Sequence, residues 1–242
     1  MSAHIEIIYS DENLIIVNKP PGISVHGSLD PHKEKKGEQE STLVDFLLDA
    51  FPEVKTVGDD PEHRPGIVHR LDKNTSGVMV VARNQAAFLA LKTLFQTRQV
   101  EKTYWAIVCG RVKNKEGIIS YAIGRSVNNP LKRGAVQGSN RIRGAREAVT
   151  LYSVLKLSDQ YSLVELKPKT GRMHQIRVHM KTIGHPIACD SLYGGKNVCC
   201  PEGCSRQLLH ASSLSFSYPE GRRFTFEAEL PQDFALAEKQ LF

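Results

Sequence analysis

Long hydrophobic runs are missing from the start of the sequence. MSAHIEIIYSDENLIIVNKPPG has no cationic leader ahead of an apolar stretch, and its apolar runs are too short and too often interrupted to cross a bilayer. A soluble, cytoplasmic protein with no membrane partner is expected. Cysteine is scarce, with 5 in 242 residues, and Cys199, Cys200 and Cys204 are clustered. The odd, uneven set argues against a disulfide framework and for free thiols in a reducing compartment. Zinc would ask for a second well-spaced ligand pair, which CCPEGC does not have, so neither metal nor cofactor is expected. A glycine-rich phosphate loop is also lacking. With 40% hydrophobic and 24% charged residues, the composition excludes fibrous, collagenous and wholly disordered chains.

What is present is enough apolar material for one substantial core or two small ones. The net charge of +6 and pI near 9.0 favour an anionic partner, of which nucleic acid is the commonest large kind. Ile5–Tyr9 and Leu14–Val17 read as strands around the turn Ser10–Asn13, and Pro20 and Pro21 stop the second. Asp30–Ser41 is charged and reads as an exposed, mobile loop. Leu43–Phe51 repeats its apolar residues at helical spacing, and 52–65 reads as a loop. Val78–Ala82 is a buried strand, and Asn84 caps a helix running to about Thr97. Further strands are predicted at Thr103–Val108, Val149–Leu155, Ser162–Leu166, Leu208–Phe216 and Arg223–Ala228, with a loop-linked hairpin over 113–146. A helix fits His174–Ile183, with Thr170 as a possible cap and Gly184 and Pro186 as its stop. No repeat or linker is visible. Strands outnumber two or three helices, so the fold class is α+β.

Four constellations can carry chemistry. The first is His69-Arg70-Leu71-Asp72, leading through a polar loop into Val78. Asp72 is the one acid between Arg64 and Arg83. Such surroundings suit a charged carboxylate acting as nucleophile or base, or, more simply, a salt bridge that pins a loop. The second is Lys169–Lys181, inside a stretch without acids up to Cys189. On a helix, His174, Arg177 and Lys181 make a polar stripe opposite Ile176, Met180 and Ile183; it can be a ligand site or a solvated face. The third is Lys132, Arg133, Arg141, Arg143 and Arg146 on a glycine-containing segment, suited to phosphate contacts or to plain solubility. The fourth is Tyr104 within EKTYW, a residue for core packing, stacking or acid–base work.

HRLDKNTSGVMVVAR resembles the signature of the RluA-like RNA pseudouridine synthases. IIVNKPPGISVH resembles that family's amino-terminal strand and turn, EKTYWAIVCG its tyrosine motif, and LVELKPKTGRMHQIRVHMKTIGHPIACDSLYGG its arginine motif. LLHASSLSF resembles its last motif. The resemblance runs from about Ile5 to Leu230. It implies a pseudouridine synthase catalytic fold, a mixed and largely antiparallel sheet flanked by a few helices around a central active-site cleft. Residues 1–242 are expected as a single catalytic domain without the S4 domain that many relatives carry. CCPEGC is no part of the family pattern.

The resemblance implies isomerisation of uridine in rRNA or tRNA, with Asp72 as the essential carboxylate. Arg177 would pair with it, Tyr104 would pack on the uracil, Arg70 would fill the space the flipped base leaves, and Leu209 would lie beneath the base. His69, Leu71, Thr75, Gly171, Arg172, His174 and Gln175 complete the expected substrate-binding set. A monomer without an obligatory protein partner is expected. The rival readings are an RNA-binding protein with a dead site, and an ester hydrolase, which would need a second acid or metal ligands near Asp72.

Overall fold

The computed structural model describes residues 4–27, 41–138, 142–196, 198–218 and 221–242. In chain order the elements are β1 (Glu6–Ser10), β2 (Leu14–Lys19), α1 (Leu43–Ala50), β3 (Ser76–Ala82), α2 (Gln85–Gln96), β4 (Glu101–Cys109), β5 (Glu116–Ile119), β6 (Ile123–Ser126), β7 (Arg133–Ala135), β8 (Ile142–Arg146), β9 (Thr150–Leu157), β10 (Tyr161–Pro168), α3 (Gln175–Thr182), β11 (Leu209–Ser217), β12 (Arg223–Glu227) and α4 (Gln232–Leu241). A short 3-10 turn covers Pro52–Thr56. The fold is α+β, with mostly antiparallel strands, and no described helix is long and apolar enough to cross a membrane. Two compact units divide the chain: 1–100 with 213–229, and 101–212 with 230–242.

In the first unit β2 pairs antiparallel with both β1 and β3. Every residue of β3 is buried, as its unbroken apolar run requires of an internal strand. Asp11 shapes the β1–β2 turn by accepting the N–H groups of Asn13 and Leu14 at 2.8 and 2.7 Å. The capping box of Thr42 and Asp45 starts α1, and the Asn84 side chain accepts the Ala87 N–H at 2.9 Å to start α2.

In the second unit the strand order is β4-β10-β9-β5, with β7-β6-β8 as a separate small sheet. Helix α3 sets Ile176 and Met180 into a core with Ala106, Val108, Leu166 and Leu209. Helix α4 sets Phe234 and Ala237 against Ile107 and Leu163. The expected hairpin over 113–146 is corrected: β5 joins β9, and β6, β7 and β8 form their own sheet. Helix α4 was not expected at all. The expected loop at Asp30–Ser41 lies, apart from Ser41, outside the described residues, as does Arg141.

The free-thiol expectation is also corrected. Cys109 is bonded to Cys199 and Cys189 to Cys200, while Cys204 is free. The adjacent pair Cys199–Cys200 finds partners 90 and 11 residues away, which the strand course supplies and the cysteine spacing does not advertise. The Cys189 N–H donates to the Cys199 carbonyl at 2.8 Å, so backbone and disulfides fasten the same stretch.

Candidate active site

Asp72 is half-buried in a turn that the Thr75 N–H closes on the Asp72 carbonyl at 3.0 Å. The next carbonyl, that of Lys73, accepts the Gly22 N–H at 3.0 Å and the Lys19 ammonium at 3.0 Å. Lys19 is fully buried and also donates to the carbonyls of Pro20 and Ile23, at 2.8 and 2.9 Å. An ammonium with three hydrogens thereby ties the KPPG turn to the Asp72 turn. Gly22 has a φ of +87°, a conformation that costs glycine little. Leu71 and Thr75 are buried and seat the turn on the core.

His69 accepts the Val80 N–H on Nε2 at 3.1 Å, and its ring stacks on Phe95 with centroids 4.6 Å apart. Arg70 is exposed, and its guanidinium lies 2.8 Å from His26 Nε2. His26 Nδ1 lies 2.8 Å from the Gly27 carbonyl, which can only accept. The ring is therefore the neutral tautomer with hydrogen on Nδ1 and a lone pair for Arg70. Burial and then the neighbouring guanidinium push the His26 pKa below its ordinary value, against the Gly27 hydrogen bond that raises it.

In the second unit Arg177 sits on α3 and is buried. Its guanidinium grips Asp190 in a fork, Nε to Oδ2 at 2.8 Å and Nη2 to Oδ1 at 2.9 Å. Asp190 is fully buried, and its Oδ1 also accepts the N–H groups of Leu192 and Tyr193, both at 3.0 Å. The Tyr193 ring lies under the Arg177 guanidinium, 5.0 Å from centroid to carbon. The Tyr193 hydroxyl accepts the Arg133 N–H at 2.8 Å and lies 2.8 Å from His174 Nδ1. His174 precedes α3 with φ of +58° and gives the helix no side-chain cap.

Thr170 does not cap the helix either. Its hydroxyl donates to Gln175 Oε1 at 2.6 Å, which also accepts the Arg172 N–H at 3.0 Å. Gln175 Nε2 donates to the Val149 carbonyl and to Thr150 Oγ1, both at 3.0 Å. Buried Gln175 thus braces the loop before α3. Arg172 reaches the Glu147 carbonyl at 3.0 Å, and a Cβ on exposed Gly171 would meet nothing within 4 Å. Tyr104 lies on β4 opposite Leu166, half-buried against the core that holds Leu209 and Ile176. The second unit therefore gathers Tyr104, Leu209 and the helix that bears Arg177.

Sequence reasoning named Arg177 but missed its carboxylate. Asp190 is the first acid after the acid-free stretch Lys169–Cys189, a signal that could have marked it. It also missed His26, Tyr193 and the fork of buried Arg206 on Asp233, at 2.7 and 2.8 Å. Arg206 Nη1 donates to the Gln207 carbonyl at 3.1 Å, steadying the approach to Leu209. Asp72 belongs to the first unit and Arg177 to the second. A cavity of about 670 Å³ lined by Asp11, Glu53, Arg83 and Asn84 contains none of the expected site residues.

Residues 13–182 match the family model described as RNA pseudouridylate synthase. An uncharacterized RNA pseudouridine synthase of Synechocystis sp. is 39% identical over 95% of this chain and 67% of its own length. Ribosomal large subunit pseudouridine synthase D of Neisseria meningitidis serogroup B is 40% identical over 95% of this chain and 59% of its own length. The chain thus spans between 59% and 67% of these two curated relatives. Human RNA Pseudouridylate Synthase Domain Containing 1 superposes with a TM-score of 0.75 at 28% identity, covering 96% of this chain and 85% of that one. Human RNA Pseudouridylate Synthase Domain Containing 4 gives 0.74 at 28% identity, covering 97% and 92%.

Proposed function

The chain belongs to the RNA pseudouridylate synthase family, and on that premise we propose that it isomerises uridine to pseudouridine in structured RNA. The substrate is rRNA or tRNA. Ribosomal RNA comes first, because relatives from Neisseria meningitidis and Zymomonas mobilis are named ribosomal large subunit pseudouridine synthase D. The base is detached at nitrogen, turned and rejoined through carbon, so no cofactor is called for. The target uridine leaves its stack at a cost of a few kcal/mol, lowest in a loop. Arg70, held by His26, fills the vacated space. Asp72 acts at the sugar, on a turn anchored by buried Lys19. Arg177 acts with Asp72 in the reaction, its guanidinium a fixed positive charge. Tyr104 packs on the uracil and can move a proton, and Leu209 lies beneath the base. The protein works in the cytoplasm as a monomer.

The observation that carries this reading is that the family match over 13–182 runs through Asp72, Tyr104 and Arg177 together. The test is to map pseudouridines in total RNA with and without the gene, and to measure single-turnover conversion of the mapped RNA by purified protein. Asp72→Asn keeps the size of the side chain and removes its charge. Turnover is expected to vanish while RNA affinity changes far less. A pseudouridine map unchanged without the gene, or an active Asp72→Asn, would overturn the assignment.

A further inference from the structure

A guanidinium on a helix can swing through several rotamers, and its usefulness to a reaction depends on which one is held. Arg177 is held from two sides by one short segment. Asp190 takes two of its nitrogens at 2.8 and 2.9 Å, and the Tyr193 ring covers its face at 5.0 Å. The carboxylate cannot drift, because the Leu192 and Tyr193 N–H groups fix Oδ1 at 3.0 Å each. The ring cannot drift, because its hydroxyl meets the Arg133 N–H and His174 Nδ1, both at 2.8 Å. The residue before Asp190 is Cys189, bonded to Cys200. Asp190 is fully buried, so water offers no alternative partner to either charge.

We propose that Asp190 is a positioning residue for the isomerisation: it fixes the rotamer of Arg177 and thereby its reach toward the reacting centre, without touching RNA itself. This rests on the proposed pseudouridine synthase activity. A carboxylate that served folding alone would lower activity only as far as it lowers the folded fraction. One that acts through Arg177 lowers the chemical step in the folded protein and loses its effect once Arg177 is altered.

The test is a double-mutant cycle with Asp190→Asn and Arg177→Lys, read by single-turnover conversion and by RNA affinity at a temperature where each variant is folded. Phe234→Leu, in the separate core around α4, serves as a control for lost melting temperature. Asp190→Asn is expected to slow conversion by about a hundredfold while RNA affinity stays within about threefold. In the Arg177→Lys background the same change is expected to cost less than about threefold. Should Asp190→Asn fail to fold, Tyr193→Leu, which removes the ring from the guanidinium face, takes its place in the cycle with the same expectation. An inactive wild-type protein would overturn the proposed activity. An active one in which the Asp190 variant matches Phe234→Leu, or in which the two changes multiply, would overturn the positioning role alone.

Discussion

A lysine with its ammonium buried needs fixed acceptors for its hydrogens, and Lys19 has the carbonyls of Pro20, Ile23 and Lys73. Lys19→Met keeps most of the side-chain volume and strips a donor from three carbonyls. We expect a loss of about 2–4 kcal/mol in denaturant unfolding, since the Pro20 and Ile23 carbonyls lose this donor and the Lys73 carbonyl keeps the Gly22 N–H, and a buried acceptor that loses its donor costs more than the bond contributed. Two buried histidines give a pH dependence. Burial lowers the pKa of His26 and of His179, while their hydrogen bonds to the Gly27 and Tyr121 carbonyls raise it. His179 donates from Nε2 to the Tyr121 carbonyl at 3.0 Å and has the Thr150 hydroxyl 2.9 Å from Nδ1, and its burial favours the neutral ring. Each binds its proton more readily unfolded, so their share of stability is present above the unfolded value of about 6.5 and fades as pH falls toward the folded values. Melting temperature should therefore drop from pH 7 to pH 5, and drop less in His179→Gln; an unchanged slope would return His179 to a bystander. At this scale the sequence offered Asp72 and Arg70 as candidates because they share one motif. It did not tell their partners, because His26 is 44 residues from Arg70 and only the folded chain joins them.

The strands and helices with strong periodicity were legible, since β3 is buried throughout and α1 and α2 carry their own caps. Helix α4 was not, because its buried residues are only Phe234 and Ala237, and Leu236 is exposed, which blurs the apolar stripe. The loop 198–204 was misread for a related reason: Cys199 and Cys200 are bonded to Cys109 on β4 and to Cys189, 90 and 11 residues away, and only the fold brings these together. A direct check is the intact mass of the unreduced, denatured protein, expected to lie about 4 Da below the reduced form, for two bonds each formed with loss of two hydrogens. Reduction should lower the melting temperature. Replacing Cys109 and Cys199 by alanine should cost more than replacing Cys189 and Cys200, about 4.6 against about 2.8 kcal/mol, because the longer loop constrains the unfolded chain more. Equal masses before and after reduction would restore the free-thiol state.

The division into two compact units escaped the sequence because it coincides with no linker: β11 contributes Leu209–Ser212 to one unit and Ser213–Ser217 to the other. Charge, by contrast, was readable. The net +6 has a local counterpart in the small sheet, where Arg125 on β6 stands in register with Arg133 on β7 and with Arg143 on β8. Like charges directly opposite on neighbouring strands are unfavourable, and a polyanion laid across them reverses the sign of that cost. If Arg125, Arg143, Lys169 and Lys181 meet phosphates, the logarithm of RNA affinity should fall linearly with the logarithm of salt concentration. Each lost phosphate contact should flatten that line by about 0.7–0.9 units. Arg125→Gln with Arg143→Gln should therefore reduce the slope by roughly one to two units. Single-turnover conversion at saturating protein should stay near the unmodified rate, because these side chains hold the RNA backbone and leave the uridine to the site. A slope that does not move would make the arginine row a solvated surface. A slope that moves together with a lost saturating rate would mean that the small sheet, through the Arg133 N–H on Tyr193, also sets the pose of Arg177.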